Sequence, residues 1–316
     1  AHIAREYDKG YGHFTTRQNI QFNWPALERV PDILAELASV EMHAIQTSGN
    51  CIRNTTSDQY AGVAYDELID PRPYCELIRQ WSTFHPEFAY LPRKFKIAVS
   101  GSVEDRAGTL VHDIGVHAVR NERNEIGFRI LVGGGLGRTP IIGHLIREFL
   151  PREHLLTYLD AILRVYNRYG RRDNKYKARI KILVKELKPE NFAKKVEAEW
   201  LNFKDGPATI TAAEFARMEK SFTAPTYEKY SGDHPDYVKK LNEIKGFSNW
   251  AKRNVFTHKV PGYAAVTLSL KPTGVAPGDA NDKQLDAVAD LADEYSFGEV
   301  RISHEQNLIL ADVKQA

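Results

Sequence analysis

The sequence predicts an α+β fold, in which two ferredoxin-like half-domains related by an internal repeat flank a larger mixed α/β domain. Three observations carry that prediction. Residues 291–308 lie without a gap over residues 3–20, and Ala4, Glu6, Tyr7, Gly10, Gln18 and Asn19 recur as Ala292, Glu294, Tyr295, Gly298, Gln306 and Asn307. The second copy is preceded by a strand-type run and a Pro/Gly-rich loop, so strand–helix–strand followed by helix–strand reads as half of a ferredoxin-like unit. Between the copies, strand and helix patterns mix over a longer block, as in a layered sheet-and-helix domain.

The elements follow in order. Ala1–Tyr7 reads as the last turns of a helix. Gly12–Phe22, rich in Thr, Phe and Ile, reads as a strand. Asp32–Val40 places Ile33, Leu34, Leu37 and Val40 on one helical face, and Glu41–Thr47 reads as a further short strand. Ile97–Ser100, His112–Val119 and Gly127–Val132 are predicted strands, and the last runs into a glycine-rich turn, Gly133–Gly137. Pro140–Phe149 and Glu153–Tyr169 are predicted helices, the second ending at Gly170. Pro189 opens a helix over Glu190–Trp200. Thr211-Ala-Ala-Glu214 has the spacing of a capping box. The second copy supplies a strand at Ala264–Lys271, a loop at Pro272–Asp279 and a helix at Lys283–Tyr295. These patterns divide the chain into a first half-domain over 1–90 whose N-terminal strand is missing, a middle domain over 91–255, and the start of a second half-domain over 256–316. The first copy begins inside its helix and the second stops after its second strand. The expectation is therefore a fragment, cut at both ends of a two-copy protein.

Composition narrows the class. The 316 residues carry 43 basic and 41 acidic side chains, for a net charge of +2. That balance argues against a dedicated nucleic-acid binder. A local basic stretch, Arg164–Lys188, keeps an RNA-binding module as an alternative, which its helical periodicity counts against. No apolar run is long enough to span a membrane, and no secretory signal pattern opens the chain. Cys51 and Cys75 lack a C-x-x-C spacing and read as free thiols of a reducing, cytoplasmic setting.

The chemistry-bearing residues are mostly cations. Leu91-Pro92-Arg93-Lys94-Phe95-Lys96 packs three of them just before a buried strand. Read as extended chain, it points Lys94 and Lys96 one way and Arg93 and Phe95 the other. Two ammonium groups on one face repel unless an anion lies between them. By the same alternation Thr15, Arg17, Asn19, Gln21 and Asn23 share a polar face suited to a carboxylate-rich ligand. Arg53 sits in a Ser/Gly/Asn turn. Gly133, Gly134 and Gly135 allow close backbone approach but match neither a Walker loop nor a dinucleotide fingerprint; Arg138 follows them. The histidines form no metal-binding pattern, and His112 and His117 read as structural. No nucleophile, carboxylate pair or complete metal site emerges. Redox or covalent work then has to come from a cofactor.

Thr15-Thr16-Arg17-Gln18-x-x-Gln21-Phe22, Arg53-Asn54, Leu91-Pro92-Arg93-Lys94-Phe95-Lys96 and Leu131-Val132-Gly133-Gly134-Gly135-Leu136-Gly137, in this order and spacing, resemble the sirohaem-dependent nitrite/sulfite reductases, and within them the sulfite reductase haemoproteins. The resemblance covers essentially the whole chain. It implies that the middle domain binds sirohaem. It implies that Arg53, Lys94 and Lys96 hold the substrate anion, sulfite. It also implies that Thr15, Arg17, Gln21, Asn23 and Arg93 meet the sirohaem carboxylates, while Gly133, Gly134, Gly135 and Arg138 line the cofactor cavity. Asn23 departs from the histidine common in sulfite reductases. The family also carries a [4Fe–4S] cluster on four cysteines, to which Cys51 and Cys75 do not correspond; those ligands are expected outside this chain, which is then expected to be inactive alone. The implied activity is assimilatory reduction of sulfite to sulfide, with electrons from ferredoxin or a flavoprotein reductase. The alternative is nitrite reduction to ammonia on the same scaffold, where asparagine tends to stand in place of Lys96.

Overall fold

The structure, a computed structural model, describes residues 1–315. Its strands are β1 (Tyr11–Phe14), β2 (Ile20–Gln21), β3 (Thr56–Ser57), β4 (Ile97–Ser100), β5 (Ile114–Arg120), β6 (Ile126–Val132), β7 (His144–Pro151), β8 (Val255–Thr257), β9 (Tyr263–Leu268), β10 (Asp279–Asn281), β11 (Arg301–Ile302) and β12 (Leu308–Lys314). Its α-helices are α1 (His2–Tyr7), α2 (Val30–Ser39), α3 (Arg72–Ser82), α4 (Leu155–Tyr169), α5 (Ile180–Leu187), α6 (Pro189–Trp200), α7 (Ala212–Glu219), α8 (Pro235–Glu243), α9 (Lys245–Asn254) and α10 (Asp282–Tyr295).

Two compact units result. The first gathers residues 1–44, 63–65 and the described residues from 225 onward, and the second residues 45–62 and 66–224. These are units of packing, whereas the division at 90 and 255 follows repeat and motif. Residues before 90 join the middle block because β3 pairs in parallel with β4 and because α3 buries Tyr74, Leu77 and Ile78 in the same core.

The first unit holds the repeat. Its sheets run β10-β1-β2 and β11-β12-β9-β8. After α1 and α10 the chain turns at Gly10 and Gly298, with φ of +77° and +75°, where glycine alone is unstrained. Their N–H groups return to the carbonyls of Ala4 and Ala292 at 2.8 and 2.9 Å. Each copy then makes a tight hairpin. Thr15 N donates to Asn19 O at 2.8 Å, and Ser303 N to Asn307 O at 2.9 Å. Gln18 and Gln306 both take positive φ, +57° and +64°.

That hairpin corrects the expected single strand over Gly12–Phe22. Alternation fails across the turn, so Thr15, Arg17, Asn19, Gln21 and Asn23 do not form one strand face. Instead the Thr15 hydroxyl accepts the N–H groups of Arg17 and Asn19 at 3.2 and 3.3 Å. Such side-chain-to-backbone bonds stabilise turns. Thr15→Ala is expected to cost about 1 kcal/mol, read as a lower urea midpoint for the first unit, with Thr15→Ser close to the parent.

The second unit is built on the sheet β3-β4-β5-β6-β7. β3, β4 and β5 run parallel, and β5, β6 and β7 antiparallel. β4 is buried at every residue, as a parallel strand covered on both faces should be. Helix α4 buries Leu155, Tyr158, Leu159, Ile162, Leu163 and Tyr166 in the same core. Two further expectations fail. Pro140–Phe149 is not a helix; β7 pairs antiparallel with β6, with register shifts opposite Phe128–Leu131. Those irregularities break the alternation, leaving Leu145, Ile146, Phe149 and Leu150 at a helix-like spacing that pairing overrides. Glu41–Thr47 is not a strand, since positive φ at Glu41 and Gln46 breaks extended backbone there.

Candidate functional site

The functional centre of the second unit starts from a short parallel ladder. Leu91 N donates to Asn50 O at 2.8 Å, Phe95 N to Cys51 O at 3.0 Å, and Arg53 N to Phe95 O at 2.8 Å. The loop before β3 and the segment before β4 are thereby laced together, with Ile52 opposite Phe95. Ile52 and Phe95 are buried, which turns the flanking residues Arg53, Lys94 and Lys96 away from the core. The chain bends at Pro92–Arg93 and becomes a strand only at Ile97. Arg93 is consequently not on an opposite strand face. It acts electrostatically on both Lys94 and Arg53.

These cations are crowded. Burial, aided by the fields of Arg93 and Arg179, pushes the Arg53 guanidinium down, with Cys51 opposing. Its Nε and Nη1 donate to the carbonyls of Gly49 and Thr47 at 3.0 and 2.7 Å, which fixes its position. Burial, then Arg179, Arg53 and Arg93, lowers Lys94, and Asp113 alone opposes. Lys181 is lowered by burial and by Arg179, while its Nζ donates to Thr139 O at 2.6 Å.

Asp113 is the acid at the centre. Its side chain is fully buried, and burial pushes its carboxyl above the ordinary range, opposed first by Arg179. Arg179 donates Nε and Nη2 to Oδ1 at 3.0 and 2.7 Å. Lys96 N donates to Oδ2 at 2.8 Å. The Asp113 carbonyl accepts Gly133 N at 3.0 Å. That contact starts the glycine loop, where a Cβ on Gly134 would sit 2.5 Å from Leu110 O; no side chain fits. A Cβ on Gly135 would meet Lys181 Cδ at 3.3 Å, so the loop's bare backbone lies against the cations.

The structure thus brings together Arg53, Arg93, Lys94, Lys96, Gly133, Gly134 and Gly135. Arg138 stands exposed at the loop tip. Thr15, Arg17, Gln21 and Asn23 belong to the hairpin of the first unit, where Gln21 bonds Asn23. Sequence reasoning missed Asp113, Arg179 and Lys181. An acid inside a predicted apolar strand was the available signal for Asp113, because a buried charge demands a partner. Within the basic stretch Arg164–Lys188 four arginines are ion-paired inside the unit: Arg164 with Asp160 and Glu87, Arg168 with Glu199, Arg171 with Asp173, and Arg179 with Asp113. His112 and His117 bond the backbone carbonyls of Gly108 and Ser102.

A sheet that gathers arginines and lysines around one buried carboxylate, beside bare glycine backbone, has the chemistry to receive an anion. Two family descriptions match: the nitrite and sulphite reductase 4Fe-4S domain over residues 48–203, and the nitrite/sulfite reductase ferredoxin-like half domain over 1–40 and 259–316. The chain belongs to the nitrite and sulfite reductase family. Sulfite reductase [ferredoxin] 1 of Mycolicibacterium paratuberculosis is 30% identical, over 98% of this chain and 49% of its own length. The chloroplastic ferredoxin–nitrite reductase of Arabidopsis thaliana is also 30% identical, over 99% of this chain and 49% of its own length. The solved structure of Mycobacterium tuberculosis NirA superposes with a TM-score of 0.74 at 27% identity, over 99% of this chain and 50% of that one. The chain spans about half the length of the curated relatives it matches.

Two cofactors follow from that family, and the residues treat them differently. Sirohaem is a polycarboxylate, and a set of partly buried cations with one acid among them fits it. For the cluster, this chain carries two cysteines, where four ligands are the rule. Cys51 and Cys75 are free thiols, and no group of three or more His, Cys, Asp or Glu placed to hold a metal occurs among the described residues. Among those residues, no helix is long and apolar enough to cross a membrane.

Proposed function

We propose that this chain supplies the anion-binding half of a sulfite reductase, which reduces sulfite to sulfide with electrons from a ferredoxin-type donor. The observation that carries the reading is Lys96, set beside Lys94 and the two arginines Arg53 and Arg93. Sulfite near neutral pH is partly a dianion, whereas nitrite carries one charge. A further cation therefore favours sulfite. The relatives bear both names, and asparagine tends to replace this lysine in nitrite reductases.

Arg53, Lys94 and Lys96 hold the anion's oxygens. Arg93 and Arg138 of the second unit offer donors to sirohaem carboxylates; Thr15, Arg17, Gln21 and Asn23 of the first unit are donors of the same chemical kind. Gly133, Gly134 and Gly135 let backbone approach the ring. When bound, sirohaem supplies electrons to the substrate's central atom. Each S–O bond broken takes up two electrons and two protons, and its oxygen leaves as water. Burial, then Arg179, Arg53 and Arg93, lowers the hold of Lys94 on its proton, which suits it to donate one.

Lys96→Asn in the complete reductase tests the reading. Sulfite kcat/KM is expected to fall by about tenfold or more, and nitrite kcat/KM to change by less than about threefold. A parent enzyme that strongly prefers nitrite overturns it.

A further inference from the structure

We propose that Asp113, clasped by Arg179, is the positioning residue of the anion site: its buried carboxyl fixes the backbone at Lys96 and the Arg179 guanidinium, its main-chain carbonyl fixes the start of the glycine loop, and its charge keeps the surrounding cations from discharging one another. The proposal rests on Lys94 and Lys96 being the anion's ligands. Asp113 itself touches no ligand.

The geometry is unusually concentrated. Oδ2 accepts Lys96 N at 2.8 Å, just where the chain leaves the bend and enters β4. Oδ1 takes both Nε and Nη2 of Arg179, which precedes α5. The residue's own carbonyl takes Gly133 N. Ile114 N, one residue on, donates to Lys96 O at 3.2 Å, so Lys96 is held on both sides of its peptide. Three separate segments of the site therefore meet at one residue. A carboxylate with no access to water is costly unless it is fully paired, and here each oxygen has a donor.

Its charge matters as much as its position. Lys94 faces Arg53, Arg93, Arg179 and Asp113, and Asp113 is the only one of these that stabilises the ammonium form. Asp113 in turn faces Arg179 and Lys96. Neutralising Asp113 leaves the Arg179 charge to act on Lys94 unopposed, whereas removing both charges together leaves that field nearly unchanged.

The test needs neither sulfite nor cofactor. Lysines of the chain are reductively ¹³C-methylated, the Lys94 signal is assigned by its loss in Lys94→Arg, and its titration is followed by NMR. In Asp113→Asn, Lys94 is expected to titrate about one unit lower than in the parent. In the double variant Asp113→Asn/Arg179→Gln it should return to within about 0.3 unit of the parent. Amide exchange at Lys96 should quicken about tenfold in both variants, while β5 and β6 keep their protection. Equal Lys94 titration in all three proteins, or parental protection at Lys96, overturns the proposal. If Asp113→Asn does not fold, the double variant, which buries no lone charge, decides alone: fast Lys96 exchange with parental Lys94 titration supports it, and slow exchange overturns it. A chain that passes these measurements while the complete enzyme ignores sulfite would sink the functional reading and leave this one standing.

Discussion

Arg179→Met is expected to lower the stability of the second unit by about 3–5 kcal/mol, the range found when one member of a buried ion pair is removed. The cause is the Asp113 carboxyl left behind. It is fully buried, and Lys96 N is then its one remaining N–H donor on the side chain. The pH dependence follows in sign. Burial already holds the folded Asp113 above its ordinary range. A carboxyl raised in the folded state binds its proton more tightly there than in the unfolded chain, so stability falls as pH rises from the ordinary carboxylate value through the folded one. Without Arg179 the folded value rises further, and the fall extends towards neutral pH. Urea midpoints for Arg179→Met should therefore recover as pH drops from about 8 to about 5, whereas the parent changes less. Adding Asp113→Asn to Arg179→Met should restore most of the loss at pH 8. A midpoint for Arg179→Met within error of the parent at every pH would show that the pair contributes nothing.

Phe95→Ala carries the second large effect, again about 3–5 kcal/mol. The ring is fully buried and lies 5.3 Å from the ring of Tyr166. Around it sit Ile52, Leu91 and Ile97 in the same core. The same residue donates to Cys51 O and accepts from Arg53 N. The cavity left by alanine therefore opens directly beneath the segment that carries Arg53 and Lys94. Loss should be seen in the urea midpoint and, under the function proposed above, in weaker binding of sulfite by the complete reductase, measured by calorimetry. Phe95→Leu refills most of the volume and should cost under about 1.5 kcal/mol. If alanine and leucine behave alike, the ring is not what anchors the segment.

Much of the fold was legible where its causes are local. Helix, positive-φ glycine and tight hairpin are all set within some twenty residues, so Gly10 and Gly298, or Asn19 and Asn307, betrayed the repeat directly. Apolar runs marked β4 and β6 for the same reason. Thr15 to Asn23 looked like one strand because polar residues at alternate positions fit a turn as well as a face. Residues 140–149 misled because β7 owes its conformation to β6, and the bulged register hides its period. For the candidate site, Arg53, Arg93, Lys94 and Lys96 could be picked out as an excess of charge beside a core. Asp113 showed only as an acid inside an apolar strand run, and Arg179, 66 positions further on, looks ordinary alone. What joins them is burial, which leaves no trace in spacing.

The pairing of β1 with β10 has a consequence in time. His13 and Asp279 face each other across that pairing, yet they stand 266 positions apart in the chain. A ribosome adding about 5–20 residues per second needs roughly a quarter of a minute to a minute to cover that stretch. Throughout it, β1 has β2 as its hairpin partner and an open hydrogen-bonding edge on the other side. The whole second unit is translated within that interval, so its sheet can close while the first unit still waits for its last strands. An exposed edge of that kind is where a nascent chain is most open to pairing with the wrong neighbour.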